Sequence, residues 1–307
     1  MNDGFVTLDP IDPSFSAAER RGAILCREIT RQYARTFYLA SHCLPSATRA
    51  HAYAIYGFCR WADNGVDEAA DLAKATARLD QARRALDLTY GEGPVPDGLA
   101  ALRRTVRERG VPRDLFVELL NGMTMDLTVS RYEDFAALKL YCYRVAGVVG
   151  LMMTHVFGFR DDRCLPRAED LGTAMQLTNI LRDVGEDLQR GRVYLPQDEM
   201  AQFGVDEDQL REGRMDDRFR DLMRFQIERA RSYYASANEG VADLIGSSSR
   251  LTVRVMGRLY GAILEVIEQN EYDVFRRRAR VSGVTKARLV LACQAETFAE
   301  SLHGLRG

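Results

Sequence analysis

Two stretches of this 307-residue chain carry acidic side chains at spacings that suit metal ions. The first reads Tyr56-Gly-Phe-Cys-Arg60-Trp-Ala-Asp63-Asn-Gly-Val-Asp67. The second reads Gln176-Leu-Thr-Asn179-Ile-Leu-Arg182-Asp183-Val-Gly-Glu-Asp187. A helix puts residues three and four apart on one face. Asp63 and Asp67 therefore share a stripe with Tyr56 and Arg60. Gln176, Asn179, Asp183 and Asp187 line a second stripe, about 16 Å long at ~1.5 Å rise per residue. Hard divalent cations take oxygen ligands, and magnesium keeps a near-octahedral shell completed by water and phosphate oxygens. Two such helices face to face would hold several magnesium ions with a diphosphate between them. The metals would neutralise charge building on a departing diphosphate.

Arg60, Arg182 and the run Arg276-Arg277-Arg278 are candidate guanidinium partners of that diphosphate. Loss of diphosphate from an allylic substrate leaves a carbocation, which needs a dry, apolar, aromatic-lined cavity. Phe37, Tyr38, Tyr53, Phe58, Tyr141, Tyr143, Phe157 and Tyr260 are available to line one. The plain alternative for either stripe alone is a solvated helix face with charge pairs. Against it, Met175, Leu177, Ile180, Leu181 and Val184 leave little of the second helix for water. Each acid repeat also encloses a glycine, Gly65 or Gly185, which costs a helix about 1 kcal/mol relative to alanine. The expectation is that something approaches the backbone at both.

The elements that must position these residues read as helices. Apolar residues recur at spacings of three and four over Ala17–Ala34, Thr48–Val66, Ala69–Tyr90, Arg113–Val129, Phe135–Phe157 and Ala168–Gln189. The pattern continues over Asp216–Ile245, Leu251–Asn270 and Val284–Leu302. Prolines fall where these patterns start or stop, and strand-like alternation is nearly absent. The reading is one all-α domain over residues 15–303 with roughly ten helices, preceded by a loose segment at 1–14. Gly91–Gly98 reads as a surface loop.

Composition narrows the function classes. The formal charge of -2 gives no basic field for nucleic acid. No stretch approaches the ~20 consecutive apolar residues of a membrane span, and the first residues lack a signal-peptide pattern. The six cysteines are scattered without a CxxC pair and read as reduced thiols of a cytoplasmic protein. There is no HExxH and no ExxH, which argues against zinc hydrolases and di-iron bundles. There is no strand followed by GxGxxG, so the reaction is expected to need no NADPH.

The motifs together resemble the squalene/phytoene synthase family, and within it the phytoene synthases most. The signatures are Ala34-Arg-Thr36-Phe37-Tyr-Leu-Ala-Ser41, the two acidic motifs, and Tyr141-Cys-Tyr-Arg-Val-Ala-Gly147-Val-Val-Gly150. Arg192-Val-Tyr-Leu-Pro196 and Tyr272-Asp-Val-Phe-Arg-Arg-Arg278 complete them, in family order over about residues 25–290. The resemblance implies a single-domain isoprenoid synthase helical bundle with a central cavity. It implies that Asp63, Asp67, Asn179, Asp183 and Asp187 hold magnesium, with manganese an acceptable substitute, and diphosphate. It implies that Arg35, Thr36, Tyr56, Arg60, Gln176, Arg182, Tyr260 and Arg277 contact substrate, and that Tyr141 sits near the reacting carbons.

The implied reaction is head-to-head condensation of two geranylgeranyl diphosphates through prephytoene diphosphate to phytoene, in carotenoid biosynthesis. A small residue at Ser41, on the implied pocket wall, favours the 20-carbon chain. The alternative is squalene, presqualene diphosphate or dehydrosqualene synthesis from two farnesyl diphosphates. A non-catalytic assembly factor of the same fold should have lost the acids, and all are present. Head-to-tail prenyltransferases usually carry DDxxD, and cyclising terpene synthases an Asn/Asp-Ser/Thr-Glu triad; neither pattern is here. Two positions depart from many relatives: Asn64 replaces a second acid, and Ala34 replaces a hydroxyl residue in a diphosphate-contacting loop. An oily product further implies peripheral membrane contact and hand-over to downstream carotenoid-pathway enzymes.

Overall fold

The computed structural model describes residues 14–67 and 69–303. Of the segment expected to be loose, residues 1–13 lie outside the described residues. The helices are α1 (Ala17–Tyr33), α2 (Arg35–Ser41), α3 (Ser46–Asp67), α4 (Leu72–Tyr90), α5 (Asp97–Arg109), α6 (Arg113–Thr128) and α7 (Phe135–Cys142). There follow α8 (Val148–Phe157), α9 (Cys164–Gln189), α10 (Gln197–Gln202), α11 (Glu207–Arg211), α12 (Asp217–Glu239), α13 (Ser247–Gln269) and α14 (Gly283–His303). No strand forms among the described residues; two isolated bridges, Arg131 with Val193 and Phe159 with Leu244, pin loops.

Local chemistry sets the helix starts. Ser16 and Glu19 form a reciprocal capping box on α1. Asp71, Asp134, Asp206 and Asp216 each accept from a backbone N–H three residues on, satisfying a first-turn donor that has no intrahelical partner. Pro166 sits in the first turn of α9, where its missing N–H removes no helical bond. The loop expected at Gly91–Gly98 is shorter than expected, because α5 already begins at Asp97.

Two expected spans are interrupted. Phe135–Phe157 is continuous but contains one π turn, Tyr143–Gly147, where the Val148 N–H reaches back to the Tyr143 carbonyl. Asp216–Ile245 does not run as one helix. It stops at Glu239, because the next backbone groups bond elsewhere: Asp243 O accepts from Arg160 N at 3.0 Å, and Ile245 N donates to Gly158 O at 2.9 Å.

Two buried clusters flank the interior. One joins α3, α4, α5, α6 and α8 around Ile55, Leu86, Leu102, Phe116 and Met152. The other joins α7, α9, α12 and α13 around Leu138, Leu181, Phe219, Ile227 and Ile267. Full burial of each such side chain is worth ~1.5–3 kcal/mol. Between them, α3, α6, α8, α9 and α13 leave a cavity of about 440 Å³.

The membrane expectation needs amending. By length and composition, Phe135–Phe157 could cross a bilayer: 23 residues with a mean hydropathy of 1.4. Its apolar side chains have an interior use, since Tyr141, Val145, Ala146, Val149, Gly150, Met153, Thr154 and Phe157 all line the cavity. No other helix among the described residues meets that test.

Candidate active site

α3 turns one stripe into the cavity. Tyr56, Arg60 and Asp63 all line it, as their spacing requires. Arg60 Nη1 donates to Asp63 Oδ2 at 2.5 Å, and its guanidinium stands 4.6 Å from the centre of the Tyr33 ring. The ring of Tyr56 packs against Phe37 at 5.8 Å. Burial pushes the Tyr56 phenol above its ordinary pKa, partly opposed by Arg60, so it stays a hydrogen-bond donor. Asp67 closes α3, and its side chain lies outside the described residues.

α9 supplies the second stripe. Gln176 and Asn179 line the cavity. Further along, Asp183 is clamped by two arginines. Arg182 Nε donates to Asp183 Oδ1 at 2.8 Å while its Nη2 takes Oδ2, and Arg278 Nη2 reaches the same Oδ2 at 3.1 Å. Arg278 also pairs with Glu186 at 3.3 Å. Arg277, the member of this run expected to contact substrate, is exposed, and it is its neighbour Arg278 that pairs with the Asp183 carboxylate. Asp187 has no such clamp. Burial, reinforced by the nearby Asp183 charge, pushes its carboxyl up to about 7. Tyr260, from α13, lines the cavity beside this group; burial raises its phenol, with Arg182 opposing.

The donor set fits a hard divalent cation. Asp63, Asn179, Asp183 and Asp187 offer only oxygen, and Asp187 is protonated over a range where a cation would expel the proton. No three His, Cys, Asp or Glu side chains converge on one point among the described residues. Magnesium keeps its waters and binds through one or two carboxylates plus substrate phosphates, so it needs no all-protein cage.

Four of the eight aromatic candidates line the cavity: Phe37, Tyr141, Phe157 and Tyr260. Phe58 and Tyr143 pack in the core beside it, and the Tyr38 ring stacks on Tyr53 at 5.8 Å. Ser41 is not on the wall. Its hydroxyl bonds Tyr53 Oη and the Tyr38 carbonyl, each at 2.7 Å, and the Tyr53 ring in turn meets Phe37 edge-on. The α2 helix turns Ser41 inward, so a bulky residue there would act on the cavity only through Tyr53 and Phe37. Arg35 and Thr36 begin α2 beside the cavity-lining Ala34, but neither lines the cavity itself.

The glycines within the acid repeats admit the protein's own chain. A Cβ on Gly185 would lie 2.8 Å from the Val274 carbonyl oxygen and 2.9 Å from Phe275 Cα. That close approach brings the segment ending in Arg278 onto α9. At Gly65 the neighbour is Arg78 of α4, 3.3 Å away. A tighter crossing sets the cavity width: Cβ atoms on Gly150 or Gly172 would lie 2.3 Å from the Ala168 and Ala146 carbonyl oxygens respectively.

One constellation was not read from the sequence. Asp126, the single charged residue in the second half of α6, lines the cavity. Its Oδ1 accepts from Tyr141 Oη at 2.9 Å and Tyr194 Oη at 3.1 Å, and its carbonyl accepts from Arg192 Nη2 at 3.0 Å. Tyr132 stacks on Tyr194 at 5.7 Å. Burial and the Asp126 charge hold the Tyr141 phenol well above its ordinary pKa. A lone acid amid Leu119, Leu120, Met123 and Leu127 was the available signal.

Residues 30–285 match the squalene/phytoene synthase family. A 15-cis-phytoene synthase of Synechococcus elongatus is 44% identical over 268 residues, covering 83% of this chain and 87% of the relative. The chain belongs to the squalene/phytoene synthase family. It is a prenyltransferase of the phytoene synthase type. A phytoene synthase of Arthrospira platensis is likewise 44% identical over 270 residues. Among solved structures, a dehydrosqualene synthase bound to a ligand superposes with a TM-score of 0.85 at 30% identity, covering 92% of this chain and 98% of that one. A squalene synthase from Alicyclobacillus acidocaldarius gives 0.79 at 26% identity, covering 84% and 97%. The fold is therefore the all-α isoprenoid synthase bundle, and the family works with a divalent metal.

Proposed function

We propose that this synthase condenses two geranylgeranyl diphosphates head to head, through prephytoene diphosphate, to 15-cis-phytoene. The observation that carries the reading is the junction of a polar mouth with an apolar interior. Arg60, Asp63, Tyr56, Gln176 and Asn179 share one cavity with Val149, Met153, Phe157, Leu171, Leu244 and Met256. An amphiphile with a diphosphate head and a long hydrocarbon tail satisfies both ends. The relatives named above, at 44% identity, support the 20-carbon substrate.

Magnesium held by Asp63, Asp67, Asn179, Asp183 and Asp187 would supply charge neutralisation for the leaving diphosphate. The chain's own groups do the rest. Arg60 and Arg182 present guanidinium donors to the diphosphate oxygens. Tyr56 and Tyr260, kept protonated by burial, donate to the same oxygens. The apolar wall excludes water that would otherwise capture the cation. Tyr141, with the Asp126 carboxylate behind its hydroxyl, turns an electron-rich face to the reacting carbons. Over the whole reaction two diphosphates and two protons leave, and two prenyl groups join with no hydride consumed. The reaction therefore needs no NADPH. Six unpaired cysteines suit the cytoplasm. The oily product suits work at a membrane surface and transfer to downstream carotenoid-pathway enzymes.

A second reading is dehydrosqualene from two farnesyl diphosphates, favoured by the dehydrosqualene synthase superposition. Purified protein with magnesium, no NADPH, and either 15- or 20-carbon diphosphate separates the readings by product mass. A 40-carbon triene from the 20-carbon substrate is expected. A 30-carbon product as the preferred outcome would install the second reading, and dependence on NADPH would refute both.

A further inference from the structure

The other face of α3 opens onto a second site. Helices α1, α3, α4 and α5 enclose an apolar groove of about 480 Å³, with Leu25, Ile29, Phe58, Trp61, Leu88 and Leu99 among its walls. It runs into a pocket of about 670 Å³ whose polar lining includes Lys74, Arg78 and Arg84. The two share Trp61, Gln81 and Arg84, and neither shares a residue with the active-site cavity.

The large side chains around the groove face water: Leu25 is 51% exposed, Leu88 45% and Trp61 38%, with Leu72 at 60% and Ile24 at 44% on the same two helices, α4 and α1. Isolated exposed apolar residues need no explanation, but Leu25, Leu88 and Trp61 line one groove together. The cations follow one stripe of α4, where positions 74, 78, 81, 84 and 88 recur at helical spacing. Arg78 donates to Gln81 at 3.1 Å, and neither it nor Arg84 is ion-paired among the described residues. The acids of α4 are engaged elsewhere: Asp80 with Arg83, Asp87 with Arg113. Lys74 pairs with Asp71 at 3.6 Å, so among the described residues the unpaired positive charge of this end is that of Arg78 and Arg84.

This pairing of hydrocarbon groove and arginine-rich pocket selects an amphiphile with an anionic head. A soluble anion would leave the groove empty, and a neutral hydrocarbon would leave the arginines unmatched. We propose that the groove seats an acyl chain of an anionic phospholipid, with Arg78, Arg84 and Lys74 on its head group, docking the enzyme on a negatively charged membrane. The inference deepens the membrane-contact part of the reading above. Trp61 suits such a face, because indole rings favour the boundary between hydrocarbon and head groups.

Trp61 is also the chain's single tryptophan, so the unaltered protein reports on its own docking. Phosphatidylcholine vesicles containing phosphatidylglycerol should shift its emission to the blue. Lipids brominated in the acyl chain should quench it. Pure phosphatidylcholine vesicles, and inorganic phosphate, should do neither. The double variant Arg78→Ala/Arg84→Ala should bind the anionic vesicles about thirty-fold more weakly, at ~1 kcal/mol per surface cation. Its turnover on detergent-dispersed substrate should match the wild type, which reports an intact fold. If the protein sediments with anionic vesicles but Trp61 stays silent, membrane contact survives and this face is wrong. If it sediments with no vesicle, both ideas fall. A full blue shift with inorganic phosphate alone would make the site one for a soluble anion and overturn the lipid.

Discussion

Gly172→Ala tests whether the cavity wall depends on one close helix crossing. An added Cβ would lie 2.3 Å from the Ala146 oxygen, 2.6 Å from its carbonyl carbon and 2.8 Å from Gly147 Cα. Ordinary contact begins near 3.4 Å, so the closest approach falls short by 3.4 minus 2.3, or 1.1 Å. All three atoms are backbone, and no rotamer change relieves them. Overpacking of this kind costs ~1–3 kcal/mol. Alanine's better helix propensity returns about 1 kcal/mol. The net loss is up to about 2 kcal/mol, or up to roughly 3 °C in Tm for a chain of this size. Because Ala146, Gly172 and Met175 all line the cavity, the same shift should lower kcat. Gly257→Ala in α13 is the control, since its nearest atom, Leu171 Cδ1, is 3.6 Å away. That variant should melt at or slightly above the wild type. Thermal unfolding followed by circular dichroism, beside steady-state turnover, reads both variants. A Gly172→Ala protein that melts no lower than the wild type would refute the crossing as the determinant of the wall.

Asp126→Asn should cut kcat on the order of a hundredfold with KM nearly unchanged, because it removes the charge behind Tyr141 while keeping the shape; a change confined to KM would deny Asp126 that role. Arg278→Ala should raise KM for the diphosphate substrate roughly tenfold, whereas Arg277→Ala should stay near wild type, and the reverse order would restore Arg277 as the contact. Magnesium binding with a diphosphate analogue at pH 7 should release protons from Asp187, whose carboxyl is held up to about 7. Calorimetry in two buffers of different ionisation enthalpy detects the release, and identical heats would sink the assignment. The sign for the metal-free protein follows: a raised carboxyl pKa contributes stability below the ordinary carboxylate range, and that contribution is lost as pH rises towards about 7.

Periodicity alone made the all-α bundle legible, since apolar spacings of three and four require helices and no segment alternates as a strand. The acid spacings put Tyr56, Arg60 and Asp63 on one face of α3, and Gln176 and Asn179 on one face of α9, because helical geometry leaves no other option. Relations between distant segments were decided only by packing. The pairing of Arg278 with Asp183 came from the approach of the segment at 274–278 onto Gly185, a contact set by backbone distance that three identical arginines do not signal. Ser41 turned away from the cavity because its hydroxyl found Tyr53 and a carbonyl inside the fold. Asp126 joined Tyr141 and Tyr194 across 15 and 68 residues of sequence, a pairing that exists only once α6, α7 and the 192–196 loop converge. Spacing along one helix is fixed by covalent geometry, but a site shared between helices is fixed by which side chains leave room for which backbones.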